Sequence, residues 1–479
     1  MIAILKRIHI GVIVISSLLL LAAIGWGIVW NYALQKTVPA EVTAGGLPIG
    51  GMPVNDALAM LEQIENTLQE RTVTVHASAA AGDSKQWKVP EFGYKADFSG
   101  ARTAILKLKE GSTWDRAVYR YNFAKNYPLL QSWNRDSFDA AIRKQWSWLE
   151  KSETKNAERI ITEQDEVRYE PHVDAYRLEP GKLIEDVEKW IIVKEEQLRT
   201  SVERHFEGEL TVAVIHPDVT LEKLKAEGVE RKIIEFSTDF STNAEGRAYN
   251  VTVTADALND WHLAPDETFD YGKLIARAEE LYEYREAPVI LNGKLVPGIG
   301  GGICQVSSTL YNAAVRAGLE IVERRNHSLP VAYLPLGQDA TYAGGAINFR
   351  FKNTTGKHLL IRTEVKDRKL TVKLFGTMDE NVQYGMESVT LKTVQPVVQE
   401  KVNSELSPGQ KVTVDKGKPG YLVDTYRTTI KDGKVIARDK ISHDTYRAQP
   451  TIVEVGPMTG GPAPTPVPEP IDPILEDGI

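Results

Sequence analysis

The chain has 479 residues, of which 42% are hydrophobic and 25% are charged. This ordinary globular composition excludes a wholly disordered chain, a collagen-like repeat and a protein with many membrane spans, and the length predicts about three domains. The formal net charge is −8, which argues against nucleic acid as a partner.

The first element is an apolar segment near the N-terminus. Ile8–Gln35 contains no Asp, Glu, Lys or Arg, and its core, Ile10–Trp30, is long enough to span a bilayer. Lys6 and Arg7 precede it, so the positive-inside rule predicts a cytoplasmic end over residues 1–7. A cleaved signal peptide is the alternative, although no good small-x-small site follows the segment. We predict an uncleaved single-pass anchor over residues 8–35, with the rest of the chain outside the cell membrane.

The next region, residues 37–225, mixes helical and strand patterns. Apolar spacing predicts helices over Val54–Leu68, Asp136–Glu150 and Leu183–Arg199. Asn55 or Asp56 is the expected cap of the first helix. Alternation predicts strands over Arg71–His76 and Glu209–Ile215. No residue in this region suggests chemistry, and its aromatic residues are expected in a core.

The most informative region is residues 235–380. Asn292-Gly293 is a turn signal between two short strands. The glycine-rich sequence GIGGGICQ follows at 298–305 and opens a helix that Gly318 is expected to end. The loop lacks the Gly-Lys-Ser/Thr ending of a nucleotide-binding loop. Its glycines allow another backbone, or a substrate, to approach closely.

Cys304 is the one cysteine of the chain, which excludes an intrachain disulfide and any multi-cysteine metal site. At about 100° per residue it lies away from the apolar stripe of its helix, on the face of Ser308 and Tyr311. A structural cysteine is expected in the stripe. The helix dipole and the N–H groups of the first turn also favour a thiolate.

A histidine and an acid follow this helix. His327 comes after a strand-like stretch, Leu319–Arg325, and Asp339 follows a proline-interrupted segment. Three hairpin-like strands are predicted next, at Ala346–Lys352, His358–Val365 and Lys369–Phe375. The order cysteine, histidine, acid is that of papain-like and transglutaminase-like thiol enzymes, where histidine takes the thiol proton and the acid orients the ring.

We therefore assign candidate roles to these residues: Cys304 is the nucleophile, His327 the base and Asp339 the orienting acid. The candidate substrate-binding residues share the loop, the helix face or a nearby basic pair, and are Gly300, Gly301, Gly302, Gln305, Ser308, Tyr311 and Arg325. In the alternative interpretation Cys304 is inert packing, His327 a structural histidine and Asp339 a turn residue. The other histidines lack paired-ligand spacing, so no metal and no cofactor is expected.

Residues 385–456 alternate strongly between polar and apolar side chains, with turn signals such as Asp432-Gly433. The pattern predicts an elongated antiparallel β module, in which Tyr421, Tyr426 and Tyr446 can stack on sugars. A spacer without a ligand is the alternative. The last segment, 457–479, is rich in proline and acid and is predicted to be disordered. The fold class is α+β.

Four stretches resemble three known families. The run from Gly298 to Thr341 resembles the signature of the VanW domain; it reads GIGGGICQVSSTLYNAAVRAGLEIVERRNHSLPVAYLPLGQDAT. Upstream of this run the chain departs from the family, because Asp266 stands where the family usually has glycine. LPIGGMPVNDA at 47–57 and TVAVIHPDVT at 211–220 resemble the peptidoglycan-binding domain found before VanW domains. The glycine spacing of 385–456 resembles the G5 domain.

The resemblance implies a Gram-positive envelope protein of a family named after glycopeptide-resistance clusters. Its expected partner is peptidoglycan or another N-acetylglucosamine-containing wall polymer, and no nucleic acid. Two functions stay open. One is a thiol enzyme that performs acyl transfer or amide hydrolysis on stem peptides. The other is a non-catalytic wall-binding scaffold or adhesin.

Overall fold

The computed structural model describes residues 1–77, 83–241, 244–291, 294–457 and 475–476. These residues form two compact units. The first consists of Met1–Lys155 and Val173–Asp218, and the second of Asn156–His172 and Val219–Ile479. Helices and strands are interleaved along the chain, which confirms the α+β class.

The first helix, Ile2–Ala33, is 32 residues long, and we call it the anchor helix. It is the one helix in the described part of the chain that is long and apolar enough to cross a membrane. Its leucine and isoleucine side chains are exposed in the structure.

The first unit surrounds an aromatic core that includes Trp87, Phe92, Phe138 and Trp146. After the anchor helix its helices are Val54–Gln69, Ser99–Lys107, Thr113–Tyr121, Arg135–Gln145, Ser147–Glu150, Gly181–Ile191 and Glu195–Arg199, with a 3-10 turn at Val89–Phe92. Its strands are Thr43–Ala44, Leu47–Pro48, Thr72–Ala77, Asp83–Lys88, Lys95–Asp97, Asn126–Tyr127, Leu130–Ser132, Ala175–Glu179, His205–Glu209 and Thr211–Ile215.

The predicted helix at 54–68 is confirmed, but its predicted cap is wrong. Pro53 precedes the helix, and neither Asn55 nor Asp56 caps it with a side chain. The helix begins at Val54, as predicted, but the residue before it is Pro53, whose fixed φ suits a helix start, and the N–H of Val54 donates to the carbonyl of Lys36 at 3.0 Å. Asn55 and Asp56 therefore lie inside the first turn.

The other two predicted helices of this unit are each broken in two. The first breaks at Trp146, whose ring is fully buried and whose indole N–H donates to Asp83 at 3.0 Å. The second breaks at Ile192, which is extended. Next to it, the side chain of Gln131 accepts from the N–H of Val193 at 2.9 Å and donates to its carbonyl at 2.7 Å. The amide thus replaces the backbone hydrogen bonds that a continuous helix would make.

The second unit contains four helices among its described residues: Leu221–Ala226, Glu245–Leu258, Tyr271–Leu281 and Ile303–Arg316. We call the last the site helix. Its strands up to residue 376 are Glu158–Ile161, Val167–Glu170, Arg231–Asp239, Trp261–Leu263, Thr268–Asp270, Glu286–Leu291, Lys294–Ile299, Glu320–Glu323, Arg350–Lys352, Leu359–Lys366 and Lys369–Gly376. The strands after it are Val382–Val394, Val398–Val402, Lys411–Asp415, Gly420–Lys431, Lys434–Tyr446, Thr451–Val455 and Leu475–Glu476.

A four-stranded antiparallel sheet supports the site helix. Its order is Arg231–Asp239, Lys369–Gly376, Leu359–Lys366 and Trp261–Leu263. The site helix packs on the first two of these strands. Two of the three predicted strands, Leu359–Lys366 and Lys369–Gly376, form a hairpin within this sheet. Its turn residues, Asp367 and Arg368, have φ of 51° and 57°. The third, Arg350–Lys352, instead pairs with Thr268–Asp270 and Glu320–Glu323.

The last part of the second unit has two small sheets. One is antiparallel and joins Val382–Val394, Gly420–Lys431 and Lys434–Tyr446, with the predicted turn at Asp432 and Gly433 in the left-handed region. In the other, Thr451–Val455 pairs antiparallel with Lys411–Asp415 but parallel with Val398–Val402. Alternation along a strand carries no information about the direction of its neighbour, so this parallel pair was not predicted.

Two predictions fall on residues outside the described part of the chain. The turn residues Asn292 and Gly293 are one case, although the flanking strands Glu286–Leu291 and Lys294–Ile299 do pair antiparallel. The predicted disorder of 457–479 is the other. Of that segment the structure describes Pro457 and the strand Leu475–Glu476, which pairs with Ile290 and Leu291.

Candidate functional site

The glycine-rich loop before the site helix contacts the protein's own backbone. Gly300 and Gly302 have φ of 83° and 114°, which side-chain-bearing residues rarely adopt. A Cβ added to Gly301 would lie 2.5 Å from the carbonyl oxygen of Pro288. The side chain of Asn250 also donates to the carbonyl of Gly301 at 3.0 Å. The three predicted binding glycines are buried and fix where the site helix begins.

Cys304 is the second residue of the site helix, and its side chain is fully buried. Burial does not distinguish its face from the apolar stripe, because every residue from Ile303 to Val315 is buried. Its Sγ accepts from the N–H of Tyr342 at 3.1 Å and donates to the carbonyl of the same residue at 3.3 Å. Cys304 also belongs to the main apolar cluster of the unit.

His327 and Asp339 form a buried pair, as their predicted roles require. Nδ1 of His327 lies 2.7 Å from Oδ2 of Asp339, and the backbone N–H of His327 donates to the same oxygen at 2.6 Å. Both side chains are 0% exposed. An ionised carboxylate only accepts hydrogen bonds, so Nδ1 carries a proton. In the neutral ring the lone pair is then on Nε2, which is the arrangement of a histidine base oriented by an acid.

Asp339 is held ionised by several partners. Burial alone would raise its pKa, but the hydrogen bond and charge of His327, the charge of Arg324 and the hydrogen bond from Tyr446 lower the pKa to about 2. Tyr446 donates its hydroxyl to Oδ1 at 2.5 Å. The guanidinium of Arg324 donates to the backbone carbonyl of Asp339 at 2.6 Å. The acid is therefore a fixed negative charge at neutral pH.

Arg324 connects this pair to a second acid. Its Nη1 donates to Oδ1 of Asp444 at 2.5 Å, and the two side chains are 4% and 5% exposed. Its guanidinium also lies 5.1 Å from the ring centre of Tyr311. Burial raises the pKa of Tyr311 to about 12, so this phenol keeps its proton at neutral pH. Neither Asp444 nor the role of Arg324 was found from the sequence.

One short segment, Asp339–Tyr342, joins the candidate residues. It begins at Asp339, the partner of His327, and ends at Tyr342, whose backbone contacts Cys304. On the helix side, Ser307 and Ser308 donate to the carbonyl of Ala340 at 2.5 and 3.2 Å. On the other side, the N–H of Thr341 donates to the carbonyl of Arg325 at 2.8 Å. The structure thus brings the three candidate residues into one neighbourhood, with this segment held by both.

The remaining predicted binding residues divide by exposure. Gln305, Ser308 and Tyr311 are buried. Gln305 donates to Asp239 and to Thr238, each at 3.1 Å. Arg325 is exposed, unlike its neighbour Arg324. Three of these side chains therefore hold the site helix in place, and Arg325 alone reaches solvent.

The predicted role of Tyr446 in sugar stacking is wrong. Its ring is 1% exposed, and its hydroxyl also accepts from the N–H of Gly337 at 2.6 Å. The face of Tyr426 is covered by the guanidinium of Arg438, 3.6 Å from the ring centre. Tyr421 is half-buried and remains available for contact with a ligand.

One group of side chains in the second unit has the spacing of metal ligands: Glu227, His262 and His358. The carboxylate of Glu227 already pairs with Arg159, whose side chain is only 6% exposed. A divalent cation there would face a fixed positive charge at short range. We therefore propose no metal for this group.

Two family descriptions match the chain. The VanW like protein family matches residues 246–375, and the G5 domain matches residues 386–458. The site helix, His327 and Asp339 lie within the first match, whereas Asp444 and Tyr446 lie within the second. Both predicted resemblances are thereby confirmed, and the resemblance of residues 37–225 to a peptidoglycan-binding domain stays a prediction.

Two relatives share the first region. The uncharacterized protein YoaR of Bacillus subtilis (strain 168) is 37% identical over 163 residues, which is 34% of this chain and 54% of YoaR. The vancomycin B-type resistance protein VanW of Enterococcus faecalis (strain ATCC 700802 / V583) is 27% identical over 156 residues, 32% of this chain and 57% of VanW. The chain thus matches little more than half the length of these relatives.

Two solved G5 domain structures align with part of the chain. The G5 domain of IgA1 protease is 23% identical, with a TM-score of 0.14, and the alignment covers 16% of this chain and 92% of that one. The G5 domain of HP0197 is 24% identical, with a TM-score of 0.12, and the alignment covers 16% of this chain and 97% of that one.

Proposed function

Because this chain joins a VanW-like domain to a G5 domain after an apolar N-terminal helix, we propose that it is a membrane-anchored envelope protein that binds the peptidoglycan wall. The observation that carries the proposal is this order on one chain: the anchor helix at Ile2–Ala33, the VanW match at 246–375 and the G5 match at 386–458. A helix in the bilayer and a wall-binding module would hold the chain between the two layers.

The orientation follows from charge. Lys6 and Arg7 are the basic residues at the start of the anchor helix, so the N-terminus stays in the cytoplasm and both matched domains lie outside. Replacing Leu19 and Leu20 by arginine tests this step, because each arginine at the bilayer centre costs about 2.5–3.5 kcal/mol of insertion free energy. The variant should be extracted from membranes at alkaline pH. A Leu19→Ile/Leu20→Ile variant is the matched control and should remain in the membrane under the same treatment.

Wall binding is assigned to the G5 domain, with an N-acetylglucosamine-containing polymer as the partner that the resemblance implies. Tyr421 is the tyrosine of the three candidates whose ring remains open to a ligand, because Tyr446 is buried and Tyr426 is covered by Arg438. An aromatic ring beside cations suits a wall polymer that carries both sugar faces and carboxylates.

The test is co-sedimentation of the full-length chain, in detergent, with purified sacculi. The chain should pellet with intact sacculi and stay in solution once a muramidase has digested them. Tyr421→Ala should reduce the pelleted fraction several-fold, whereas Tyr426→Ala should leave it nearly unchanged. A chain that stays in the supernatant with intact sacculi would overturn the proposal.

A second candidate function rests on the His327–Asp339 pair. Its Nδ1–Oδ2 distance of 2.7 Å orients the imidazole, and the backbone of Tyr342 holds Sγ of Cys304, donating its N–H to the sulfur at 3.1 Å and accepting from the thiol at 3.3 Å. In this proposal Sγ attacks the carbonyl of a stem-peptide amide, and imidazole takes the thiol proton and passes it to the leaving amine. Water, or an acceptor amine, then releases the acyl group from the thioester.

Because Cys304 is fully buried and the backbone of Tyr342 contacts its Sγ, a substrate reaches Sγ only after the residues that cover it move. The test is the rate of iodoacetamide labelling of the full-length chain against pH. Rapid labelling well below about pH 8.5 that is lost in His327→Ala, but kept in His358→Ala, would support an activated pair. Labelling that appears only on unfolding would make Cys304 a packing residue and end this proposal, leaving wall binding untouched.

A further inference from the structure

A cavity lies where the VanW-like and G5 domains meet, beside the His327–Asp339 pair. Its volume is about 500 Å³. Three parts of the second unit line it: the paired strands Glu286–Leu291 and Lys294–Ile299, the segment 329–336, and residues near Lys418 and Arg447 in the G5 match. This volume is within the range of small-ligand sites, about 300–1,000 Å³. We infer that it binds the carboxylate-bearing stem peptide of peptidoglycan, an inference that rests on the proposed wall association.

The walls combine apolar surface with positive charge. Ile290, Leu329 and Leu334 are among the apolar side chains, and Lys418 and Arg447 are the two charged residues in the described lining. No carboxylate is among those lining residues. Both cations are exposed, so an anion can reach them. A guanidinium and an ammonium beside apolar surface match a short peptide with small apolar side chains and a terminal carboxylate.

The cavity is joined to the buried pair through the backbone. The segment 329–336 lies between His327 and Asp339 in sequence, so it links the two members of the pair. The N–H of Arg447 donates to the carbonyl of Ser328 at 2.9 Å, and the preceding residue, Tyr446, bonds Asp339. A peptide held by Arg447 would therefore lie against the segment that links the candidate base to its acid.

The cavity also borders a strand edge on which an extended segment of this chain already lies, so a peptide would bind there in place of that segment. Ile290 and Leu291 pair antiparallel with Leu475–Glu476 of this chain. Addition of an extended peptide to a strand edge is a common mode of peptide recognition, and main-chain hydrogen bonds supply much of the affinity. A sugar chain would use hydroxyl partners and ring faces instead, and Tyr421 is the one aromatic residue in the described lining. The observations thus favour the peptide part of the wall.

The test is calorimetric titration of the full-length chain in detergent with the pentapeptide L-Ala-γ-D-Glu-L-Lys-D-Ala-D-Ala. The double variant Lys418→Gln/Arg447→Gln should weaken binding at least tenfold. Lys431→Gln/Lys434→Gln removes the same charge at the ends of the distant Asp432-Gly433 turn and should bind like the original chain. A pentapeptide with amidated carboxyl groups should bind as weakly to the original chain as the acid form does to the Lys418/Arg447 variant.

Four results would overturn the inference: no pentapeptide binding, equal binding of the amidated peptide, equal loss in the two double variants, or binding that appears only when the chain ends at Pro457. The last result would show that the acidic tail of this chain occupies the cavity. Sedimentation with sacculi separates the two proposals. A chain that pellets but ignores the peptide retains wall association and loses this site, whereas a chain that does not pellet loses the proposed function.

Discussion

Tyr446 donates its hydroxyl to Asp339 at 2.5 Å, so a side chain of the G5 domain bonds the acid that orients His327 in the VanW-like domain. Arg324 and Asp444 make a second buried link between the same two domains, at 2.5 Å. The two matched regions therefore share one polar network. Substitutions in the G5 domain that break this network are expected to disturb the hydrogen bonds of the His327–Asp339 pair.

Tyr446→Phe tests this link while keeping the ring. The change removes a donor to Asp339 and leaves the N–H of Gly337 without its phenol acceptor, so we expect a loss of about 1–3 kcal/mol in the free energy of unfolding. Urea unfolding of the full-length chain measures it. Tyr421→Phe, at a half-buried ring, is the control and should stay within about 0.5 kcal/mol. Equal effects of the two changes would contradict the assignment.

Asp339→Asn should have an effect that depends on pH. The pKa of Asp339 is lowered from 3.8 to about 2, so its ionised form contributes stability that is present above pH 4 and lost as the pH falls through 2. The stability difference between the original chain and the variant should shrink by about 2 kcal/mol between pH 5 and pH 2. Denaturant unfolding at both pH values measures it.

Asp266→Asn is the matched control for that experiment. Its carboxylate is 76% exposed and pairs with Lys352 at 2.7 Å, so its replacement should change stability little and by a similar amount at both pH values. If the Asp339 variant shows the same flat profile, then the acid is not ionised in the folded chain, and the proposed arrangement of the pair fails.

Gly301→Ala tests the close packing of the loop before the site helix. The added methyl group would lie 2.5 Å from the carbonyl of Pro288, so the backbone must shift. We expect a destabilisation of about 1–3 kcal/mol, seen as a melting temperature several degrees lower. At Gly344 an added Cβ meets nothing within 4 Å, so Gly344→Ala should have the same melting temperature as the original chain. Unchanged melting of both variants would be inconsistent with the described loop.

Arg71→Lys tests a buried cation in the first unit. The guanidinium is 1% exposed and donates to three backbone carbonyls, those of Glu203, Ile191 and Trp190, at 2.9, 2.8 and 2.7 Å. A single ammonium cannot reproduce this fork, so the charge-conserving change should cost about 3 kcal/mol in unfolding free energy. Limited proteolysis of the first unit should be faster. Arg135→Lys, at a half-exposed position, is expected to resist proteolysis like the original chain.

Patterns within one stretch of chain were predicted well. The apolar spacing of Val54–Gln69, the turn at Asp432 and Gly433, and the left-handed Gly318 after the site helix all depend on nearby residues. The pairing of His327 with Asp339, 12 residues apart, also followed from the sequence and its family resemblance.

The rest depends on distant partners. Gln131 bonds Val193 beside the helix end at Ile192 from 62 residues away along the chain, and Tyr446 is drawn inside by Asp339, 107 residues away. The burial of Cys304 has the same origin. Its helix looks amphipathic in sequence, but the Asp339–Tyr342 segment covers the polar face through serine hydroxyls. Periodicity shows which face is polar and cannot show that another segment covers it.

The hairpin of Glu158–Ile161 and Val167–Glu170 belongs to the second unit although it is separated from the rest of that unit along the chain. It lies in the chain between two stretches of the first unit, yet its Tyr169 donates to the carbonyl of Val229 at 2.8 Å and its Arg159 pairs with Glu227. The second unit is therefore built from two separate stretches of the chain, Asn156–His172 and Val219–Ile479. A recombination event, or a surface-display fusion, that joins at residue 225 would leave the hairpin behind and expose Val229 and Phe375, which Ile161 and Val167 help to cover.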